Sequence, residues 1–126
     1  MSSVLISATS RSYPRLPFEK MKDEILGNSY ELSLIFVGEA RARALNKQTR
    51  KKDYLPNVLS FPLTKKYGEI VITPVRAKHE AKRFGFSTRG YIGFLFIHGL
   101  LHLAGHDHGE KMEKLEKKYC TQFKLT

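Results

Sequence analysis

The stretch from Arg89 to Ala104 (RGYIGFLFIHGLLHLA) constrains the fold most, because it is apolar on nearly every side of a helical projection and carries no acidic residue. Such a helix has no face to give to water, so it must lie at the centre of the fold. Ser87 or Thr88 can cap its start. Gly105 ends it, since glycine just past a helix takes the left-handed conformation at little cost. The apolar run from Tyr91 to Leu103 contains two histidines and is shorter than the ~18 apolar residues expected of a membrane span. A chain of 126 residues that must surround this helix is expected to form one domain over residues 1–126.

The rest of the sequence supplies the wrapping. Val4 to Ala8 reads as a short strand. Leu16 to Leu26 reads as an amphipathic helix stopped at Gly27-Asn28. Glu31 to Val37 is rich in β-branched and aromatic residues and reads as a strand. After Gly38, Glu39 to Asn46 reads as a helix on the propensity of its Ala and Leu, and residues 49–56 as a polar loop. Val58 to Phe61 and Glu69 to Thr73 are expected strands, joined across Pro62–Gly68 as a hairpin. Thr73-Pro74 opens a helix with Thr as cap and Pro at the first position, and that helix stops at Gly85. Glu110 to Cys120 is a final helix, with Glu110/Lys114 and Glu113/Lys117 in the favourable i,i+4 order. The expected class is α+β: a small sheet of about four strands against about five helices, with the apolar helix central.

That helix also carries the chemistry, in His98-Gly-Leu-Leu-His102-Leu-Ala-Gly105-His106-Asp107-His108. His98 and His102 are four apart and share one helix face. A lone histidine on an apolar face is usually a satisfied core residue. Two on one face of so apolar a helix each need a polar partner. Gly105 lets the chain turn back and bring a third, His108, toward the pair; His106 competes for that place, and the spacing favours His108. Three imidazoles leave a fourth position open, which is the layout of a catalytic rather than a structural zinc site. Asp107 is expected to cap the last helix, and His79 to be a surface residue. The spacing H-x-x-x-H-x-x-G-x-x-H also fits metzincin peptidases, but those carry a glutamate general base directly after the first histidine, and here that position is Gly99. Gly99 and Gly93 each weaken the helix by ~1 kcal/mol relative to Ala, which points to close packing of another backbone. The lack of a side chain at Gly99 would also leave room for a bulky substrate.

Charge narrows the partners. The net charge is +10, with 22 Lys+Arg against 12 Asp+Glu, spread along the chain, and a basic surface attracts polyanions, nucleic acid first. Arg41, Arg43, Lys47, Arg50, Lys51 and Lys52 follow one another without an intervening acid. Most such runs are simply solvated faces. Read functionally, this one is a phosphate-binding surface with Arg50 foremost, because a guanidinium can hold a phosphate through two hydrogen bonds. The single cysteine, Cys120, excludes an internal disulfide and fits a reducing compartment. Residues 1–13 lack the pattern of a signal peptide, so the expected location is the cytoplasm.

The residues His98-Gly-Leu-Leu-His-Leu-Ala-Gly-His-Asp-His108 resemble the H-G-x-L-H-L-x-G-Y-D-H signature of the YbeY endoribonucleases, also called rRNA maturation factors. Leu45-Asn46 with Arg50, Lys52, Asp53 and Asn57-Val-Leu-Ser-Phe-Pro62 resembles that family's L-N-x-x-Y-R-x-K-D-x-P-T-[DN]-V-L-S-F-P block. Gly68-Glu-Ile-Val-Ile72 is similar to its G-D-I-x-I strand. The likeness runs over roughly residues 45–109. This chain departs from the pattern at His106, Leu55-Pro56 and Thr49, where the family has an aromatic residue, Pro-Thr and tyrosine.

The resemblance implies a metal-dependent, single-strand-specific endoribonuclease that acts in 16S rRNA 3′-end maturation and ribosome quality control. It implies His98, His102 and His108 as ligands of one Zn2+ (or another divalent transition metal) and Arg50 in catalysis or RNA binding. It further implies partners among single-stranded RNA, the small ribosomal subunit and its proteins or assembly factors, and no membrane. Arg41, Arg43, Lys47, Lys51 and Lys52 would track the RNA backbone. The sequence does not choose between water and the ribose 2′-hydroxyl as the attacking group. Three other readings are a non-catalytic assembly factor whose metal only holds the fold, a metallopeptidase-like hydrolase, and a hydrolase of a small phosphorylated or carbonyl substrate.

Overall fold

The chain order is β1 (Val4–Ala8), α1 (Phe18–Leu26), β2 (Glu31–Phe36), α2 (Glu39–Arg50), β3 (Val58–Thr64), β4 (Tyr67–Ile72), α3 (Pro74–Arg83), α4 (Thr88–Leu103) and α5 (Glu110–Gln122). These elements come from a computed structural model, which describes residues 4–8, 13–51 and 56–126. The class is α+β, with a four-stranded mixed sheet in the order β1-β2-β4-β3. β1 and β4 both run parallel to β2, and β3 returns antiparallel along the outer edge of β4. Pro62 fits that edge position because an edge strand leaves one row of N–H groups unpaired.

The two faces of the sheet are covered differently. Leu32, Leu34 and Phe36 of β2 and Ile70 and Ile72 of β4 join one large core with residues of α1, α3, α4 and α5. Leu59 and Val71 on the other face form a smaller core with Val37 and Ala42. α2 therefore lies alone on one face of the sheet and α4 is sandwiched on the other. Ile92, Leu95, Phe96, Ile97, Leu100 and Leu101 of α4 are at most 2% exposed, each stabilising the fold by about 1.5–3 kcal/mol relative to exposure. Gly99 fits the helix to the sheet: a Cβ there would lie 2.9 Å from both Ile70 Cδ1 and Ser60 Oγ. The close neighbours are thus sheet side chains and not another backbone.

Several boundaries move for identifiable reasons. α1 begins at Phe18, with Pro17 at its N-cap. α2 runs a turn beyond Asn46, to Arg50, with Thr49 Oγ1 donating to Leu45 O at 2.6 Å; the chain leaves it at Lys51, φ 56°. β3 and β4 extend toward each other, so the connection shrinks from Pro62–Gly68 to Lys65-Lys66, with an irregularity between Pro62 and Thr64. Ser87 caps α4 by accepting from Gly90 N at 3.0 Å. Thr73 occupies the N-cap position of α3 without a side-chain bond. Asp107 does not cap α5: Gly109 holds that place and no side chain caps it.

Lys22 on α1 is fully buried. Its Nζ donates to Gly27 O at 3.0 Å and Tyr30 O at 2.8 Å and pairs with Asp23. It thus ties the end of α1 to the start of β2. Lys22→Met keeps the volume but removes the donor to the buried Tyr30 carbonyl and leaves the Asp23 carboxylate without its cation. It should destabilise the protein by about 3 kcal/mol or more, read from urea unfolding; a loss under about 0.5 kcal/mol, the scale of an ordinary surface substitution, would show that the lysine is not structural.

Candidate metal centre

The last turns of α4 place His98 and His102 on one face, and the chain then reverses. Gly105 takes φ +97°, His106 N donates to Leu101 O and Gly105 N to His102 O, each at 3.0 Å. These are the two bonds of the glycine-terminated helix stop expected from the sequence. The reversal brings two groups back to α4. His106 O lies 3.1 Å from His102 Nδ1, and the His108 ring comes to 4.8 Å from that of His102 and 5.1 Å from that of His98, between centroids. Ligand atoms of His98, His102 and His108 all fall within 4.8 Å of one another, so the three could hold one metal ion.

The donor chemistry tests whether an ion fits. His98 Nδ1 lies 2.8 Å from Glu116 Oε2, and His102 Nδ1 faces a main-chain carbonyl. An ionised carboxylate and a carbonyl can only accept, so both Nδ1 atoms carry hydrogen. In neutral rings both Nε2 atoms are then bare lone pairs, and they face each other at 3.1 Å. Two lone pairs at that distance repel unless a proton or a cation lies between them. The C-terminal end of α4, with its partial negative charge, favours the cation. Burial holds His102 below its ordinary protonation range, helped by the neighbouring His98 and His108; the His106 carbonyl and Asp107 oppose this less strongly. A neutral imidazole is the form that binds metal.

The three rings open on a cleft of about 710 Å³, shared with Arg50 from the end of α2 and with Asn57, Ser60 and Pro62 from β3 and its approach. Arg50 is the member of the basic run that lines it. Arg41, Arg43, Lys47 and Lys51 are exposed and outside the cleft lining, and Lys52 lies outside the described residues, as do Asp53 and Leu55. His79 is exposed, and His106 contributes its carbonyl rather than its ring. Gly99 is not part of the lining; it is packed against the sheet, so it does not open the site to substrate.

Sequence reasoning missed Glu116, Asn57 and Ser60. Glu116 had a signal: Met112, Glu116 and Tyr119 are the buried residues of α5, an acid within an apolar stripe at helical spacing. Asn57 donates to Glu80 Oε1 at 2.9 Å, and Tyr91 Oη donates to the same oxygen at 3.3 Å. Burial first, and then the Glu80 charge, push the Tyr91 hydroxyl up to about 12. That network pairs residues from three elements, and no local pattern announces it.

Known proteins share this arrangement of chain. The family model described as Endoribonuclease YbeY matches residues 10–124. Endoribonuclease YbeY of Alkaliphilus metalliredigens is 38% identical over 108 residues, covering 77% of this chain and 70% of the relative. That of Aquifex aeolicus is 34% identical over 126 residues, covering 92% and 83%. Among the similar relatives the matched part ranges down to 62% of the relative's length. The solution structure of TM1509 from Thermotoga maritima superposes with a TM-score of 0.68 at 30% identity, over 93% of this chain and 86% of that one.

The state of His102 has a measurable consequence. A proton that enters the unfolded chain near pH 6.5 enters the folded one only at lower pH. The metal-free protein should therefore lose stability as pH falls from 6.5 toward the depressed value. Thermal midpoints of chelator-stripped protein at pH 7.5 and 5.5 test this, and His102→Gln should flatten the difference; an unchanged slope in that variant would contradict the assignment.

Proposed function

The chain belongs to the YbeY endoribonuclease family, and on that premise we propose that it is a zinc-dependent, single-strand-specific endoribonuclease. Its site of action in this reading is the cytoplasm, in 16S rRNA 3′-end maturation and ribosome quality control, in company with the small ribosomal subunit and its proteins or assembly factors. The observation that carries the reading is the approach of the His98 and His102 Nε2 atoms to 3.1 Å with a third imidazole beside them, in a cleft also lined by Arg50. Among the described residues no helix is long and apolar enough to cross a membrane.

In this reading His98, His102 and His108 would hold one zinc ion through ring nitrogens at the edge of the cleft. When bound, the ion supplies a Lewis acid for a phosphoryl oxygen and lowers the pKa of water there. Arg50 grips the scissile phosphate with two hydrogen bonds and stabilises the charge that develops on it. The Asn57 amide, held by Glu80, and the Ser60 hydroxyl offer polar contacts to the sugar or base next to that phosphate. Arg41, Arg43, Lys47, Lys51 and Lys52 supply sequence-independent attraction to the RNA backbone, which salt screens. A peptidase is the weaker reading, because the position after the first histidine is Gly99, where even a Cβ would lie 2.9 Å from Ile70 Cδ1 and Ser60 Oγ, so no glutamate general base follows His98.

Two measurements test the proposal together. Elemental analysis of freshly purified protein should give one zinc per chain, and cleavage of single-stranded RNA by nuclease-free protein should stop with chelator and return with metal. Cleavage retained in chelator would take the metal out of the reaction, and a metal-loaded protein with no cleavage would leave an assembly factor as the better description. His102→Ala should remove metal and cleavage at once. Arg50→Ala should lower the cleavage rate by about 10²–10³-fold with metal content unchanged; cleavage at the wild-type rate would take Arg50 out of the site.

A further inference from the structure

We infer that Glu116 is a positioning residue for the metal centre, fixing the ring orientation and tautomer of His98 and thereby setting how tightly the ion is held. This rests on the metal-binding reading above. Glu116 is 8% exposed, on the face of α5 that also buries Met112 and Tyr119. A carboxylate buried on an apolar face is strongly unfavourable unless a donor meets it, and the donor here is His98 Nδ1, 2.8 Å from Oε2. The bond fixes three things at once. It keeps the hydrogen on Nδ1, so Nε2 is the free donor atom. It stops the ring from rotating away from His102. It also places a negative charge behind the imidazole, which makes Nε2 a stronger donor to a cation.

The two helical histidines are held by different devices. His102 is fixed by the His106 carbonyl, a main-chain group that the helix stop itself delivers and that no side-chain substitution removes. His98 is fixed by a side chain from another helix, so its orientation depends on the packing of α5 against α4. Glu116 is not itself among the residues that line the cleft, so its effect there must pass through His98.

A mere tether between α4 and α5 would change the stability of the metal-free protein and leave ion affinity alone; a positioning residue does the reverse. Zinc affinity from competition with a chromophoric chelator, together with the thermal midpoint of the stripped protein, separates the two for wild type, Glu116→Ala and Glu116→Gln. Glu116→Ala should weaken zinc binding by about 10–100-fold. Glu116→Gln, which keeps an acceptor oxygen but not the charge, should lose less. If the alanine variant does not fold, the glutamine variant decides: zinc binding at least about threefold weaker with the wild-type midpoint supports the role, and equal affinity overturns it. Variants that fold and hold zinc as tightly as wild type remove Glu116 from the centre and leave the metal reading standing. A wild-type protein that takes up no zinc overturns both.

Discussion

α4 cannot be placed anywhere but the middle. Its apolar surface runs all the way round, so each side needs a neighbour. β3 and β4 supply one wall, and α1, α3 and α5 supply the others. Coverage ends where the helix ends, and there the only polar side chains of its last turns, His98 and His102, face an open cleft. The demand for burial and the position of the imidazoles are therefore one constraint. A helix with one polar stripe could have lain on the surface with its histidines anywhere along the solvent side.

Much of this was legible in the residues. The apolar helix, its glycine stop, the histidine spacing and the strand pattern are local signals, and they recover the elements and the convergence of His98, His102 and His108. What failed to show was set by contacts between distant segments. Glu116 sits in a run of Glu and Lys that reads as a solvated helix, until α5 turns that residue onto His98. Lys22 reads as one more surface lysine on an amphipathic helix, yet three main-chain carbonyls gather round it. Asp107 is a good capping residue type in the wrong place, because Gly109 takes the position next to α5. The extra turn of α2 was hidden by Thr49, whose poor helix propensity is offset by the bond to Leu45 O. That turn decides where Arg50 stands.

Charge works at two ranges here. The net +10, carried mostly on exposed faces of helices, sets up a broad field that draws in any polyanion and weakens with ionic strength. Within the cleft the arrangement is different: one guanidinium and three imidazoles share the lining with Asn57, Ser60 and Pro62. On the proposed reading, the wide field would bring a strand close without choosing where along it to stop, and the narrow set of groups would determine which phosphate is engaged.

The helix stop at Gly105 confines the three imidazoles and the His106 carbonyl to residues 98–108. Bringing them together closes only a short loop, so little chain entropy opposes it. Arg50, by contrast, comes from a segment far away in the sequence, and closing that longer loop costs more chain entropy. On the proposed metal-binding reading, the end of the central helix can take up an ion before the sheet edge and α2 are in place. Cation capture and competence toward a phosphodiester would then mature as separate events, and a partly folded chain already carrying its ion would still be harmless to the polymers around it.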